Sequence, residues 1–181
     1  MIGSTFLSPA SVITAAHLHE GLYVADLGTG SGFFARAAAR VVGESGVVWA
    51  VDANRELLPR LKNMAAEEGL KNVEVVQGEV DVVGGTHLPD GAFDLVIAAN
   101  LLFSLEHKHE FVAEVRRILK KGGQVILIDW SSSHGGLGPH PDHVVSREQA
   151  EKMFEAQGFG LVRNIPAGEF HWGFIAKKKT A

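Results

Sequence analysis

The most informative residues of this chain are three glycines that follow an apolar run. The segment Val24–Phe34, VADLGTGSGFF, places Gly28, Gly30 and Gly32 between a predicted strand and a predicted helix. Glycine allows a tight backbone turn there and lets a ligand approach without meeting a Cβ atom. The helix N-terminus adds N–H donors and partial positive charge. These residues predict a loop that binds a nucleotide-like ligand.

Acidic residues follow the next two apolar runs. Asp52 comes directly after Val47–Val51, and its carboxylate can accept hydrogen bonds from both hydroxyls of a ribose. Glu79 and Asp81 follow Val73–Val76. Because open α/β sheets bind ligands at the carboxyl ends of their strands, we expect the glycines and these acids to meet around one ligand. The sequence therefore predicts a nucleoside site.

The glycine spacing distinguishes two classes of nucleotide-binding protein. A nicotinamide dinucleotide fingerprint needs a third glycine where this chain has Phe33. The pattern Asp-x-Gly-x-Gly-x-Gly resembles instead the first motif of class I S-adenosylmethionine-dependent methyltransferases. Phe93–Asn100 resembles the fourth motif of that family, and Leu119–Gly123 resembles a turn that is typical of it. The resemblance extends from about Gly21 to the C-terminus.

Within the family, the chain looks most like the ubiquinone/menaquinone-biosynthesis-type and related small-molecule methyltransferases. Asp129-Trp130 after the fifth strand and Phe170–Phe174 in the last strand carry this finer resemblance. It implies methyl transfer from S-adenosylmethionine to a small-molecule acceptor, with S-adenosylhomocysteine as product. Such a transfer is an in-line displacement, for which the enzyme mainly aligns the acceptor and excludes water.

The resemblance also implies which residues hold the cofactor. The loop would wrap its methionine and ribose, with Asp52 on the ribose, whereas Asp26 would mainly hold the loop backbone. Glu79, or Asp81 in its place, would accept a hydrogen bond from the adenine amino group, and Val80 would offer its backbone amide to the ring. The predicted cofactor-binding residues are Asp26, Gly28, Thr29, Gly30, Gly32, Asp52, Ala53, Glu79, Val80, Asn100 and Leu101.

Two histidines are candidates for the proton acceptor that an oxygen or carbon nucleophile would need. Asn100 and Leu101 would lie beside the sulfonium, with His171 in the last strand and His134 in the late loop as hypothetical bases. The alternative is that His171 is a packed, hydrogen-bonded strand residue and that the loop around His134 caps the substrate. The nine histidines lack His-x-x-x-His spacing, so we predict no metal site.

Two other functions stay open from the sequence. An RNA-modifying methyltransferase would carry an Asn/Asp-Pro-Pro-Tyr-type motif where this chain has Asn100–Phe103. The net charge of −4 also disfavours nucleic acid as a partner. A non-catalytic regulatory subunit that binds S-adenosylmethionine would carry the same cofactor motifs, because a cofactor site does not guarantee an acceptor site.

The elements that must position these residues form an alternating pattern. Apolar, β-branched runs separated by helical stripes indicate parallel strands joined by right-handed crossovers. We predict an α/β fold with a Rossmann-like, mostly parallel seven-stranded sheet, helices on both faces and a C-terminal antiparallel hairpin. The predicted strands are Leu22–Leu27, Val47–Val51, Val73–Val76, Phe93–Ala99, Val125–Ile128, Phe159–Ile165 and Glu169–Ala176. The predicted helices start at Ser8-Pro9, near Pro59 and at Ser146, and end at Gly21, Gly43, Gly69, Gly122 and Gly158.

A length of 181 residues suits a single domain. We divide it into an N-terminal helical cap (1–20), a cofactor-binding half (21–130) and a substrate-side loop, helix and hairpin (131–181). Because few residues precede the first strand, we expect a shallow acceptor pocket closed by the N-terminal helix, the Ser131–Val145 loop or the second subunit of a homodimer. The lack of cysteine and of a bilayer-length apolar run favours a cytoplasmic protein without a membrane span.

Overall fold

Seven strands form one sheet in the computed structural model, which describes residues 7–134 and 136–180. They are β1 (Tyr23–Leu27), β2 (Val47–Asp52), β3 (Val73–Gln77), β4 (Phe93–Ala99), β5 (Leu119–Trp130), β6 (Phe159–Asn164) and β7 (His171–Lys178). Their order is β3-β2-β1-β4-β5-β7-β6, in which β1 to β5 pair in parallel and β7 lies antiparallel between β5 and β6. The predicted fold class is confirmed. The first six residues of the predicted cap, Gly135 of the late loop and Ala181 lie outside the described residues.

Helices cover both faces of this sheet. They are α1 (Pro9–Ala15), α2 (Phe33–Val42), α3 (Leu57–Glu67), α4 (Lys108–Ile118) and α5 (Arg147–Ala156). The first three helices pack on one face, and α4 and α5 pack on the other. Because strand side chains alternate, Ile126 and Ile128 of β5 face α1–α3, whereas Val125 and Leu127 face α4 and α5. No helix of the described chain has the length and apolar character needed to cross a membrane.

The helix starts follow the predicted capping residues. Ser8 accepts a hydrogen bond from the N–H of Ser11 and begins α1. Ser146 and Gln149 form the predicted capping box at the start of α5. The third helix begins at Leu57, near Pro59 as predicted, and includes Pro59 in its first turn. A proline is tolerated there because the N–H that it lacks would have no partner within the helix.

The predicted end of α1 at Gly21 is wrong. The helix stops at Ala15, and the chain turns at His17, whose φ of 56° is left-handed. Gly21 instead donates its N–H to the carbonyl of Val42 at 2.9 Å. This glycine therefore joins the end of α2 to the beginning of β1 rather than terminating α1.

The predicted end of α4 at Gly122 is also wrong. The helix ends at Ile118 and β5 begins at once, at Leu119. The register between β4 and β5 shifts between Phe93 and Leu95. Gly122, with a φ of 74°, lies within this irregular start of β5. The segment that resembles a family turn is therefore part of a strand.

Candidate functional site

The glycine loop is fixed to the end of the neighbouring strand by its own backbone. The N–H groups of Gly28 and Thr29 both donate to the carbonyl of Val51, at 2.9 and 3.0 Å. The Thr29 hydroxyl donates to the carboxylate of Asp26 at 2.6 Å. The loop between β1 and α2 is thus held at the carboxyl edge of the sheet.

Asp26 lies beneath this loop, with its side chain almost completely buried. Burial raises the pKa of Asp26 from its ordinary value of 3.8 to about 7, and the nearby charge of Asp52 acts in the same direction. Hydrogen bonds from Thr29 and from the backbone of Ala35 oppose this rise. Asp26, with a pKa of about 7, therefore joins the loop at Thr29 to the first turn of α2 at Ala35.

Asp52, at the end of β2, connects the second strand to the same loop. One carboxylate oxygen accepts the N–H of Gly30 at 2.8 Å, and the other accepts the N–H of Asn54 at 2.9 Å. A carboxylate oxygen has more than one acceptor direction, so both oxygens can accept a further hydrogen bond. The half-buried carboxylate can therefore receive the two hydroxyls of a ribose beside Gly30.

The three glycines of the loop are required for different reasons. A Cβ atom on Gly28 would lie 2.6 Å from Leu101, and one on Gly32 would lie 2.5 Å from Leu61. A Cβ atom on Gly30 would meet nothing within 4 Å, although its φ of 53° is left-handed. The space over Gly30 is therefore open, and a ligand can approach the backbone there. The Asp52 carboxylate lies beside this open surface. Contact of the loop with the ribose and methionine of S-adenosylmethionine stays a prediction.

The residues after β3 divide into exposed and buried positions. Glu79 is exposed, and its backbone N–H donates to the carbonyl of Gly85 at 3.0 Å. Val80 is buried, whereas Asp81 accepts the N–H of His107 at 3.3 Å. The carboxylate of Asp81 thus contacts the start of α4. A role for Glu79 or Asp81 at the adenine stays a prediction.

A buried ion pair that the sequence analysis did not find supports this segment. The Glu114 carboxylate accepts the N–H of Gly84 at 2.7 Å, the N–H and hydroxyl of Thr86, and two donors of Arg117 at 2.6 and 2.7 Å. Burial alone would raise the pKa of Glu114, but the hydrogen bonds from Arg117 and Thr86 outweigh it and hold the pKa below its ordinary value. The three-residue spacing of Glu114 and Arg117 on α4 was the available signal.

The end of β4 lies against the glycine loop. Asn100 is exposed, has a left-handed φ of 55°, and donates its N–H to the carbonyl of Ile128 at 2.9 Å. Leu101 is nearly buried and packs over Gly28. A 3₁₀ turn, Leu102–Ser104, follows directly. The predicted residues after β4 are therefore adjacent to the predicted loop. Ala53, after β2, is exposed and lies beside Asn54 of this edge.

The His171 side chain is packed, as the alternative interpretation expected, but its ring makes no hydrogen bond in the part of the chain that the structure describes. Its two ring nitrogens are buried without a partner there, and its ring centre lies 4.3 Å from that of Trp130. Burial lowers the pKa of His171, and the nearby His134 acts in the same direction. Both effects favour the neutral form of the imidazole.

His134 lies beside the same strand ends. Its ring centre is 4.6 Å from that of Phe170, and the Ser132 hydroxyl lies 3.0 Å from its Nε2 atom. His134 of the late loop and His171 at the start of β7 thus lie close together beside the carboxyl end of β5. Within residues 7–134 and 136–180, no group of three potential ligands could hold a metal ion.

Comparison with known proteins identifies the family. The chain matches the model of a family described as "Methyltransferase domain" over residues 18–171. It is 33% identical over 133 residues to the ubiquinone/menaquinone biosynthesis C-methyltransferase UbiE of Bordetella avium (strain 197N), covering 74% of this chain and 50% of that protein. A second UbiE, from Cupriavidus pinatubonensis, is 33% identical over 121 residues, or 66% of this chain and 47% of that protein.

The chain therefore spans about half the length of these curated relatives. A crystal structure of a SAM-dependent methyltransferase from Aquifex aeolicus superposes with a TM-score of 0.86 at 30% identity, over 96% of this chain and 91% of that one. The family model covers residues 18–171, which include the carboxyl ends of β1 to β5 and the first residue of β7. The chain belongs to the class I S-adenosylmethionine-dependent methyltransferases, and S-adenosylmethionine is its cofactor.

Proposed function

We propose that this methyltransferase methylates a small molecule, and that the acceptor is an aromatic compound carrying a hydroxyl group. The observation that carries the small-molecule proposal is the likeness to relatives whose names place them in ubiquinone and menaquinone biosynthesis. Because the chain spans about half of their length, we propose only the chemical class of the acceptor and no particular substrate. The Trp130 and Phe170 rings at the ends of β5 and β7 support it, since aromatic rings pack well against one another.

Binding of the cofactor is assigned to the first three strand ends. When bound, S-adenosylmethionine supplies a methyl group already activated by the positive charge on its sulfur. The Asp52 carboxylate would hold the ribose hydroxyls, and the open backbone at Gly30 would lie against the ligand. Asn100 and Leu101 would bound the reacting region. Alignment and removal of water are then the main contributions of the protein to the rate.

An aromatic acceptor gives up one proton for each methyl group that it receives. The electron pair of the nucleophile forms the new bond to carbon, the pair of the broken carbon–sulfur bond stays on sulfur, and the proton goes to a base. We propose His171, or His134 in its place, as this base. The neutral ring of His171 and its unpartnered nitrogens support the assignment, because the ring has no hydrogen bond to give up within the described chain.

A labelled-methyl transfer screen tests this proposal. The acceptors are hydroquinones, phenols, small amines and tRNA, each incubated with the protein and methyl-labelled S-adenosylmethionine. We expect label in a hydroquinone or phenol product. Transfer to tRNA alone, or to amines alone, would contradict the proposed acceptor class without affecting the family assignment.

The matched variants are Asp52→Ala and Glu74→Ala. Asp52→Ala should weaken S-adenosylmethionine and S-adenosylhomocysteine binding by about 1.5–3 kcal/mol, because hydrogen bonds to a charged group are lost. Glu74 is an exposed acid on β3 that pairs with Lys62, so its replacement should leave the affinity unchanged. Calorimetric titration measures both. Equal affinities for the two variants would remove Asp52 from the cofactor site.

A further inference from the structure

Asp129, the residue before the last of β5, connects the cofactor side of the site to the acceptor side. Its side chain is 1% exposed. The carboxylate accepts the N–H of Phe103 at 3.3 Å and the N–H of Trp130 at 2.8 Å, and the backbone groups of Leu101 and Leu102 also donate to it. We propose that Asp129 is a positioning residue that fixes the end of β4 and the Trp130–His171 pair in one geometry. The acceptor half of this inference rests on the proposed function.

The contacts on the cofactor side run through the turn after β4. Three successive backbone N–H groups, from Leu101 to Phe103, face one buried carboxyl group, so the turn cannot move without losing these hydrogen bonds. Leu101 packs where a Cβ atom on Gly28 would lie. Asn100, in a left-handed conformation, is further held by its bond to Ile128. The Asp129 carboxylate therefore sets the position of the wall next to the glycine loop.

The contacts on the acceptor side run through Trp130. The carboxylate of Asp129 fixes the Trp130 backbone, and the indole ring lies 4.3 Å, centre to centre, from the His171 ring. Trp130 also pairs with His171 across β5 and β7. One buried side chain thus contacts the turn that adjoins Gly28 and the residue that packs on the proposed base. A displacement of the Asp129 carboxyl group would therefore move both the turn after β4 and Trp130.

Titration of S-adenosylhomocysteine into Asp129→Asn tests the cofactor side. An amide retains one acceptor oxygen but turns an NH₂ donor toward backbone donors, so we expect the dissociation constant to rise about tenfold. The control is Asp94→Asn. Asp94 also accepts a backbone N–H, that of Tyr23 at 2.9 Å, but it lies at the amino ends of the strands. An unchanged constant in Asp129→Asn, or the same rise in both variants, would overturn the proposal.

A double-mutant cycle distinguishes positioning from general destabilisation. If Asp129 acts through the turn, Asp129→Asn and Leu101→Ala together should raise the dissociation constant by less than the product of their separate effects. Independent effects that multiply would overturn the proposed route. In methyl transfer, Asp129→Asn should lower kcat at least about tenfold and change the KM for the acceptor by less than about threefold, because alignment is lost rather than binding.

The outcomes separate this inference from the proposed function. If no aromatic acceptor is methylated, the proposed function fails, and the affinity measurement still decides the cofactor half. If Asp129→Asn does not fold, carbon-13 NMR of the wild-type carboxyl groups replaces it. Addition of S-adenosylhomocysteine should then shift the Asp129 carboxyl resonance and leave that of Asp94 in place. An unmoved Asp129 resonance at saturating ligand would overturn the proposal.

Discussion

The glycine loop, the carboxyl end of β5 and the first residues of β7 lie at the same edge of the sheet. The two regions differ in whether their polar side chains have hydrogen-bond partners. In the loop, Asp26 and Asp52 are bonded to Thr29 and Gly30. At the ends of β5 and β7, the His171 nitrogens are buried without a partner among the described residues. The loop is therefore fixed by hydrogen bonds of the chain itself, whereas the described chain offers the imidazole no hydrogen-bond partner. This difference is expected if the first region holds a constant cofactor and the second serves a particular acceptor.

The largest effect expected in this comparison is on the packing of the loop. Gly32→Ala places a Cβ atom 2.5 Å from the buried Leu61 and keeps a left-handed φ of 73°. Strain and overpacking together should lower the free energy of unfolding by about 3–4 kcal/mol. Gly69→Ala has the same strain, with a φ of 74°, but open space around the new atom. Urea unfolding of both variants measures the difference, and equal losses would show that the loop is not packed on α3.

The second effect is a pH dependence of stability that comes from Asp26. Its pKa is about 7 in the folded protein against an ordinary 3.8, so the folded state keeps a proton that the unfolded state loses. Wild-type stability should therefore fall as the pH rises from about 4 to 7. Asp26→Asn cannot ionise, and between pH 5 and 7.5 it should gain about 2–3 kcal/mol relative to wild type. Parallel unfolding free energies over that range would contradict the buried, protonated carboxyl.

The smallest effect on stability is expected at His171. His171→Phe removes two unpartnered nitrogens and keeps a ring beside Trp130, so the free energy of unfolding should rise by up to about 1 kcal/mol at pH 7. Because the folded pKa of His171 is lowered, wild type should lose stability relative to this variant as the pH falls below 6.5.

The same variant tests the proposed base. Methyl transfer by His171→Phe should be at least about tenfold slower than by wild type. A variant that transfers methyl groups at the wild-type rate would exclude His171 as the base.

The meeting of the glycine loop with Asp52 was predictable from sequence, because a nucleoside site demands particular residue types at strand ends. Glycines are needed where a ligand or a side chain approaches the backbone, and the Asp52 carboxylate suits a ribose. The alternation of apolar runs and helical stripes predicted the parallel sheet, and the last two apolar runs predicted the antiparallel hairpin. Each of these features can be recognised from a single segment of the chain.

Other features depend on partners that are distant in sequence. The bonds between Glu114 and Thr86 join residues 28 positions apart. The turn at Gly122 was misplaced because continuation of β5 depends on its pairing with β4 rather than on local turn chemistry. Neither the lack of a hydrogen-bond partner for the His171 ring among the described residues nor the proposed role of Asp129 has a sequence signature. Both depend on how the ends of β4, β5 and β7 meet in space.

The central claim is that a cofactor lies over the open backbone of Gly30, beside Asp52. Calorimetric titration of Gly30→Ala and Gly69→Ala with S-adenosylhomocysteine tests it most directly, because both glycines have a left-handed φ and open space around a new Cβ atom. We predict that Gly30→Ala weakens binding at least about tenfold, or roughly 1.4 kcal/mol, while Gly69→Ala binds as wild type does. Wild-type affinity in Gly30→Ala would contradict the account.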